Sequence, residues 1–191
     1  MNEIKFKELK GVIEFCKIVG NLKKVERTGW TTVIGIQNPE SVAEHIYRTA
    51  VIAMVIGDLK GLDTEKMMRM ALIHDLTEAL TGDWDQFAKK KLGMDKFKQK
   101  EDEAIKKIMG LTPENLRSKY LKLWNELVEQ KSEEAKLVME LDKIELIFQA
   151  YEYGKEGHEK KKLEKFWNHV EERINDADIK KIFESLKKER S

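Results

Sequence analysis

The stretch ALIHDLTEALTGD, residues 71–83, continues an amphipathic helix but carries titratable groups where core residues belong. The apolar residues before it recur every three or four positions from Met67, and His74 follows on the same face. Asp75 lies about 100° further round the helix, and Glu78 follows His74 by four residues. Because a buried carboxylate needs a partner or a metal ion, the stretch indicates a helical fold that contains a polar site.

The same helical spacing of apolar residues extends along almost the whole chain, whereas no stretch longer than a few residues alternates like a half-buried strand. We therefore expect an all-α fold. Asn38 with Pro39 and Thr112 with Pro113 resemble helix starts. The segment 21–37 has no helical period and is expected to be a loop. The expected helices cover residues 4–19, 39–57, 64–80, 95–109, 113–129, 132–153, 159–174 and 177–189.

Two further apolar stripes predict which helix faces are buried. In the first helix the residues expected to point inward are Leu9, Val12, Ile13 and Cys16. Near the end of the chain, a second stripe fits either the core or an interface between two subunits. Its members are Leu163, Phe166, Trp167 and Val170.

Length and composition favour one globular domain that spans residues 1–191. The 36 Lys and Arg residues nearly balance the 35 Asp and Glu residues, so no overall field attracts a nucleic-acid polymer or an acidic membrane. No stretch approaches the roughly 20 apolar residues of a membrane span. The single cysteine, Cys16, and an N-terminal segment without the apolar run of a signal peptide predict a cytoplasmic protein.

Polar residues interrupt core-facing stripes on three of the expected helices. His45 follows Val42 by three residues, and Asp142 follows Val138 by four. With the His-Asp pair at 74–75, they form a mixed set of two imidazoles and two carboxylates that suits a catalytic divalent transition metal. Taken one at a time, however, an inward histidine is more often a hydrogen-bonded core residue and a helical aspartate is usually at the surface.

The order of these four residues resembles the H…HD…D pattern of the HD-domain metal-dependent phosphohydrolases. Two further stretches are similar to one branch, the 5′-deoxynucleotidases and their oxetanocin-like relatives. These are RTGW at 27–30 followed by PESVAEH at 39–45, and HDLTEALTGD at 74–83. The resemblance covers about residues 4–155 and implies a single-domain, HD-type helical bundle. The helices of residues 159–189 are expected to pack on this core.

The resemblance implies that one divalent cation is bound by four residues, His45, His74, Asp75 and Asp142. Mixed imidazole and carboxylate ligands favour manganese, cobalt, iron or nickel over calcium. Binuclear members of the superfamily have extra histidines between the HD pair and the last aspartate, and this interval contains none here. We therefore expect a mononuclear site.

The resemblance also assigns roles beside the metal. Glu78 is expected to be catalytic, because a carboxylate there can handle the proton of the attacking water. Arg27 is expected to grip the phosphate, since its planar guanidinium can hold two oxygens at once. Trp30 is expected near the sugar, and Asp83 at the 3′-hydroxyl. The competing interpretations are a solvated arginine, a core tryptophan and a turn-forming aspartate.

These motifs together predict an enzyme that releases phosphate from 2′-deoxyribonucleoside 5′-monophosphates. The first alternative is a nucleoside triphosphate hydrolase that releases pyrophosphate or triphosphate, and the second is a non-catalytic protein that binds metal or nucleotide. The stretch DWDQF at 83–87 departs from the usual pattern of the branch, which leaves base and sugar preference open. The family further suggests a homodimer.

Overall fold

The computed structural model describes residues 5–190, and these residues form ten α-helices and no extended strand. The described chain is therefore all-α, as the periodicity predicted. The expected helix start at Ile4 lies outside the described residues. The helices are α1 (Phe6–Val19), α2 (Val42–Lys60), α3 (Thr64–Ile73), α4 (Glu78–Thr81), α5 (Gln86–Leu92), α6 (Met94–Met109), α7 (Glu114–Val128), α8 (Glu133–Lys155), α9 (Lys160–Glu171) and α10 (Ala177–Glu189).

The long helix α8 is the centre of the main core, where it contacts α2, α3, α7, α9 and α10. Its side chains are buried on several faces because helices surround it. The C-terminal apolar stripe belongs to this core, since Leu163, Trp167 and Val170 are at most 3% exposed and Phe166 packs against them. Of the two interpretations of that stripe, the core is therefore the one that the structure supports.

A smaller core lies between α2, α6 and α7, and α1 covers it with a face that the spacing did not predict. Phe15, Ile18 and Val19 pack against this core. The four residues expected to point inward are instead exposed: Leu9, Val12, Ile13 and Cys16. The reason is a close approach at Gly11, where an added Cβ would lie 2.2 Å from the Leu111 carbonyl oxygen.

The helix α2 begins three residues later than predicted. Ser41 is its N-cap, and Ser41 and Glu44 form a reciprocal capping box. Asn38 instead has a left-handed backbone with φ of 59°, so it cannot cap the helix as expected. The backbone amide of Val42 donates to the Val25 carbonyl at 2.8 Å, which ties the start of α2 to the preceding segment.

The predicted loop at 21–37 contains two short helical turns, a 3₁₀ helix at Gly20–Lys24 and a π-helix at Trp30–Ile34. Turns of five residues are too short to show a periodic pattern in the sequence, which is why the spacing missed them. The helix α5 was also missed. Asp85 caps it by accepting a hydrogen bond from the Ala88 amide at 2.7 Å.

The helix predicted for residues 64–80 is broken into α3 and α4 by a tighter turn at His74–Thr77. Backbone hydrogen bonds that span three residues replace those that span four, as from the Leu76 amide to the Ile73 carbonyl and from the Glu78 amide to the Asp75 carbonyl.

No described helix is both long and apolar enough to span a membrane.

Candidate active site

Three helical elements bring the predicted metal ligands together. The capping box fixes the start of α2 and thereby places His45 one turn into that helix, facing α8. Asp142 lies near the middle of α8, and the tight turn after α3 carries both His74 and Asp75. Because this turn is not regular α-helix, the side chains of two consecutive residues, His74 and Asp75, both reach the imidazole of His45.

The four ligand candidates approach one another closely. His45 Nε2 lies 3.1 Å from Asp142 Oδ1 and 3.1 Å from His74 Nε2. The Asp75 carboxylate lies 3.2 Å from His74 Nε2 and 3.6 Å from His45 Nε2. His45 is fully buried and His74 almost so. Two imidazole nitrogens therefore share one small space with two carboxylate oxygens.

This donor set has the composition and spacing that a divalent ion requires. Ligand atoms about 2.1 Å from an ion lie roughly 3.0–3.4 Å apart, and the observed separations run from 3.1 to 3.8 Å. His45, His74 and Asp142 form a group of ligand atoms close enough to hold one ion. Asp75 borders the same two imidazoles, so the residues present fit a metal ion.

The ring of His74 is oriented by its own helix. His74 Nδ1 donates a hydrogen bond to the Ala71 carbonyl oxygen at 2.7 Å. Since a carbonyl only accepts, Nδ1 carries the proton in the neutral ring and Nε2 presents its lone pair to the site. This is the tautomer that a metal ligand needs.

Both aspartates are held as carboxylates by their cationic neighbours. Burial alone raises the pKa of Asp75, but His74, Arg27 and His45 together hold it far below its ordinary value. Burial likewise raises the pKa of Asp142, yet the hydrogen bond from His45 and the charges that both histidines carry when protonated lower it to about 2. The two groups are therefore ionised and ready to bind a cation at neutral pH.

Glu78, the first residue of α4, differs from the two aspartates. Burial raises its pKa well above the ordinary value, and the neighbouring charges of Asp75 and Asp83 raise it further. Its side chain is buried, and its Oε2 atom has no hydrogen-bond partner among the described residues. An unsatisfied carboxyl beside the ligand set is the kind of group that exchanges a proton in a catalytic site.

Arg27 contacts the same oxygen of Asp75 that the two histidines approach, and its backbone is held in place. Its amide donates to the Glu40 carbonyl at 3.1 Å, within the short antiparallel bridge between Glu26 and Ser41. Its guanidinium donates to Asp75 Oδ2 at 3.1 Å, and the side chain is 15% exposed. Burial lowers the pKa of Arg27, but the acidic groups around it raise the value overall. A fixed cation therefore lies next to the ligand set.

The structure places Trp30 in the main hydrophobic core. Its side chain is fully buried, its indole Nε1 donates to Glu40 Oε1 at 2.9 Å, and its ring packs against Tyr153 and Phe166. A contact between this ring and a sugar would require the indole to be uncovered. The position therefore favours the alternative interpretation, a core tryptophan, over a residue that touches substrate.

Asp83 holds the segment that carries Arg27. Its Oδ2 accepts hydrogen bonds from the backbone amide and from the hydroxyl of Thr28, the latter at 2.8 Å. Gly82 makes this possible because its φ of 73° turns the chain out of α4, a conformation that favours glycine. Asp83 is therefore engaged in a loop contact, and its predicted bond to a 3′-hydroxyl stays a prediction.

Several polar residues around the ligand candidates were not predicted from the sequence. Glu145 contacts His45 on the side away from the other ligands, and Arg48 contacts Glu145. Glu40 has a pKa raised to about 7, because it is buried and lies near the charge of Glu145. The available signal was the position of Glu145 three residues after Asp142, on the same face of α8.

Comparison with known proteins agrees with this geometry. The family model described as HD domain matches residues 19–183, which is most of the chain. The chain belongs to the HD-domain family. The matched range includes all four ligand candidates and Arg27. The resemblance drawn from the order of His45, His74-Asp75 and Asp142 is thereby confirmed. The fold class is confirmed by the same match.

Among curated HD-domain relatives, human 5′-deoxynucleotidase HDDC2 is 39% identical over 185 residues, which covers 95% of this chain and 87% of the human protein. The 5′-deoxynucleotidase YGK1 of Saccharomyces cerevisiae is 31% identical, with coverage of 93% and 82%. A crystal structure of a protein from Pyrococcus horikoshii OT3 has a TM-score of 0.77 and 33% identity, covering 91% of this chain and 97% of that one.

Proposed function

We propose that this HD-domain protein is a metal-dependent 5′-deoxynucleotidase, a phosphoric monoester hydrolase that releases phosphate from 2′-deoxyribonucleoside 5′-monophosphates. The observation that carries the proposal is the convergence of four residues: Asp75 and Asp142 each have a carboxylate oxygen within 3.8 Å of the Nε2 atoms of both His45 and His74. The 39% identity to a human 5′-deoxynucleotidase along nearly the whole chain supports the choice of substrate.

In this proposal the four residues hold one divalent cation. When bound, such an ion lowers the pKa of water and neutralises charge on the phosphate. The protein supplies the remaining functions. Arg27, already fixed beside Asp75, binds phosphate oxygens and stabilises the negative charge that grows on them during the reaction. Glu78 takes the proton of the attacking water, because its buried carboxyl has a free oxygen for it.

Asp83 has an indirect role in the same scheme. Through the amide and hydroxyl of Thr28 it keeps the RTGW segment against the end of α4, so that Arg27 stays aimed at the ligand set. Recognition of the sugar by Asp83 is a second role, which requires a carboxylate oxygen turned to the substrate. The two roles predict different kinetics, since loss of sugar recognition affects deoxyribose and ribose substrates unequally.

Several finer properties belong to the proposal as well. Mixed imidazole and carboxylate ligation favours manganese, cobalt, iron or nickel as the ion. The similarity to 5′-deoxynucleotidases is consistent with membership in the branch that includes the oxetanocin-like proteins. The proposed partner is a small nucleotide, and the proposed location is the cytoplasm. The proposed assembly is a homodimer, and light scattering of the purified protein tests the number of subunits.

The test uses metal-stripped protein to which each divalent ion is returned separately. Ribo- and deoxyribonucleoside monophosphates and triphosphates are then supplied, and the products are identified. The proposal predicts inorganic phosphate from deoxynucleoside monophosphates. Pyrophosphate or triphosphate as product would support a triphosphate hydrolase instead, and tight metal binding without any product would support a non-catalytic binding protein.

A further inference from the structure

A buried hydrogen-bonded chain lies behind His45, outside the set of ligand candidates. The Nε2 atom of His45 faces Asp142 and His74, while its Nδ1 atom contacts the carboxylate of Glu145 on the other side of the ring. The side chains of His45 and Glu145 are both fully buried. A fully buried carboxylate is costly unless its partners satisfy it, so this arrangement needs a reason.

Glu145 is satisfied at both oxygens by two different donors. One oxygen accepts from His45 Nδ1, and the other accepts from Arg48 Nε at 2.7 Å. Arg48 is held in turn by Glu152 at 2.7 Å and Gln149 at 2.6 Å. The α8 residues of this hydrogen-bonded network are Glu145, Gln149 and Glu152, and they follow Asp142 at intervals of three or four positions. A single face of α8 therefore supplies both the ligand candidate and its support.

We propose that Glu145 is a positioning residue for the metal site: it holds His45 in the orientation and tautomer in which Nε2 faces the ion. This inference rests on the proposed metal ligation by His45. A carboxylate that accepts from Nδ1 fixes the proton there, leaves the Nε2 lone pair free and makes the imidazole a stronger ligand. Arg48 keeps the carboxylate aligned, because its guanidinium is anchored to two further residues of α8.

A competing interpretation is a second metal site, since Glu40, His45 and Glu145 also have potential ligand atoms close together. Their hydrogen bonds argue against it. Trp30 Nε1 donates to Glu40 at 2.9 Å, and Arg48 donates to Glu145 at 2.7 Å. An ion there would compete with these donors and with the Nδ1 proton of His45. The two interpretations predict one and two ions per chain, respectively.

The first pair of variants is Glu145→Ala and Glu145→Gln, studied as folded, metal-free protein titrated with Mn²⁺. Supporting partners of metal-binding histidines typically change metal affinity by 10- to 100-fold, and we expect a loss of this order for Glu145→Ala. We expect a loss for Glu145→Gln also, because an amide has one accepting oxygen whereas His45 and Arg48 both donate.

A double variant then separates positioning from a general structural role. In Glu145→Gln with Arg48→Met, the amide oxygen no longer serves Arg48 and is free to accept from His45 Nδ1. We therefore expect the double variant to bind Mn²⁺ more tightly than Glu145→Gln alone. A protein that was merely destabilised by the first substitution would be further weakened by the second, since Arg48 also links α2 to α8.

The matched control is Glu140→Gln, five residues before Glu145 on α8. Glu140 is also a buried carboxylate, but it accepts from the backbone amides of Asn175 and Asp176 at 3.1 and 2.9 Å, away from the ligand candidates. We expect this variant to lose stability and to keep its Mn²⁺ affinity. Circular dichroism confirms that each variant is folded before it is titrated.

Nitrogen NMR of the zinc-loaded protein gives a readout that does not depend on turnover. The chain has four histidines, so the ring signals can be assigned by substitution. We expect a protonated Nδ1 in His45 of the wild type and loss of that signature in Glu145→Ala. An unchanged tautomer with Mn²⁺ affinity within about twofold of wild type in both Glu145 variants, or two ions per chain, would overturn the proposal. Either result leaves phosphate release by the wild type as a separate question.

Discussion

The substitution Glu78→Gln tests the proton transfer that is proposed for this residue. The variant keeps the shape of the side chain but cannot take up a proton. General acid–base groups typically contribute roughly 10²- to 10⁴-fold, so we expect kcat for phosphate release to fall by that factor. This corresponds to about 3–5 kcal/mol in the activation barrier. The exposed Glu184→Gln on α10 is the control and is expected to keep full activity.

The same substitution is expected to remove a pH-dependent cost to folding. Burial and the charges of Asp75 and Asp83 raise the pKa of Glu78 well above 4.5 in the folded protein. As the pH rises above that ordinary value, the unfolded chain releases the proton before the folded chain does, so the folded state loses stability. The loss is at most about 1.4 kcal/mol per pH unit, and Glu78→Gln does not undergo it.

Denaturant unfolding of metal-free wild type and Glu78→Gln at about pH 5 and about pH 6 measures this difference. We expect the stability of Glu78→Gln relative to wild type to rise by up to about 1.4 kcal/mol over that unit. A difference in stability between the two proteins that does not depend on pH would contradict the raised pKa of Glu78. Turnover within about threefold of wild type would refute the catalytic role instead.

Three further substitutions test the rest of the site. Asp142→Asn is expected to leave the fold intact and to abolish tight metal binding. Elemental analysis after dialysis measures the bound metal, and a metal content equal to that of the wild type would contradict the role of Asp142 as a ligand. Arg27→Lys is expected to lower kcat/KM by roughly 10- to 100-fold, because a charge-assisted hydrogen bond worth about 1.5–3 kcal/mol is lost. An unchanged kcat/KM would show that Arg27 does not bind the phosphate. Trp30→Phe loses the hydrogen bond to Glu40. It should lower the free energy of unfolding by about 1–3 kcal/mol with kcat nearly unchanged, whereas a large fall in kcat on an equally stable protein would favour contact with substrate.

Helical spacing was sufficient to predict the fold class and most of the helices. Each long helix repeats its apolar face over several turns, which makes the period readable from sequence. The helix α10 was predicted at residues 177–189 and the structure has it at Ala177–Glu189. Short elements such as α4 and the π-helix at Trp30–Ile34 repeat nothing and could not be predicted in this way.

The inward face of α1 shows why spacing does not determine packing. The helix has two apolar stripes, and a contact between Gly11 and the distant Leu111 decides which of them is buried. The sequence separation between these residues hides this contact from any local pattern. Similarly, Trp30 stands in a motif that resembles a substrate-binding segment, yet contacts with Tyr153 and Phe166 from α8 and α9 bury its ring.

The ligand candidates were easier to identify than their supports. A histidine or aspartate in an apolar stripe contradicts its surroundings, and the order of four such residues matches a family pattern. Glu145 belongs to a helix with many acidic residues, so its charge alone is not informative. Only the packing of α2 against α8 shows that it meets His45.

The proposed one-metal hydrolase is tested most directly by a titration of metal-free protein with one divalent ion while phosphate release from a deoxynucleoside monophosphate is recorded. We expect activity to rise in proportion to bound metal and to reach its plateau at one ion per chain, and we expect Asp142→Asn to lack this plateau. Full occupancy of one site without phosphate release, or a plateau that requires a second ion, would contradict a mononuclear 5′-deoxynucleotidase.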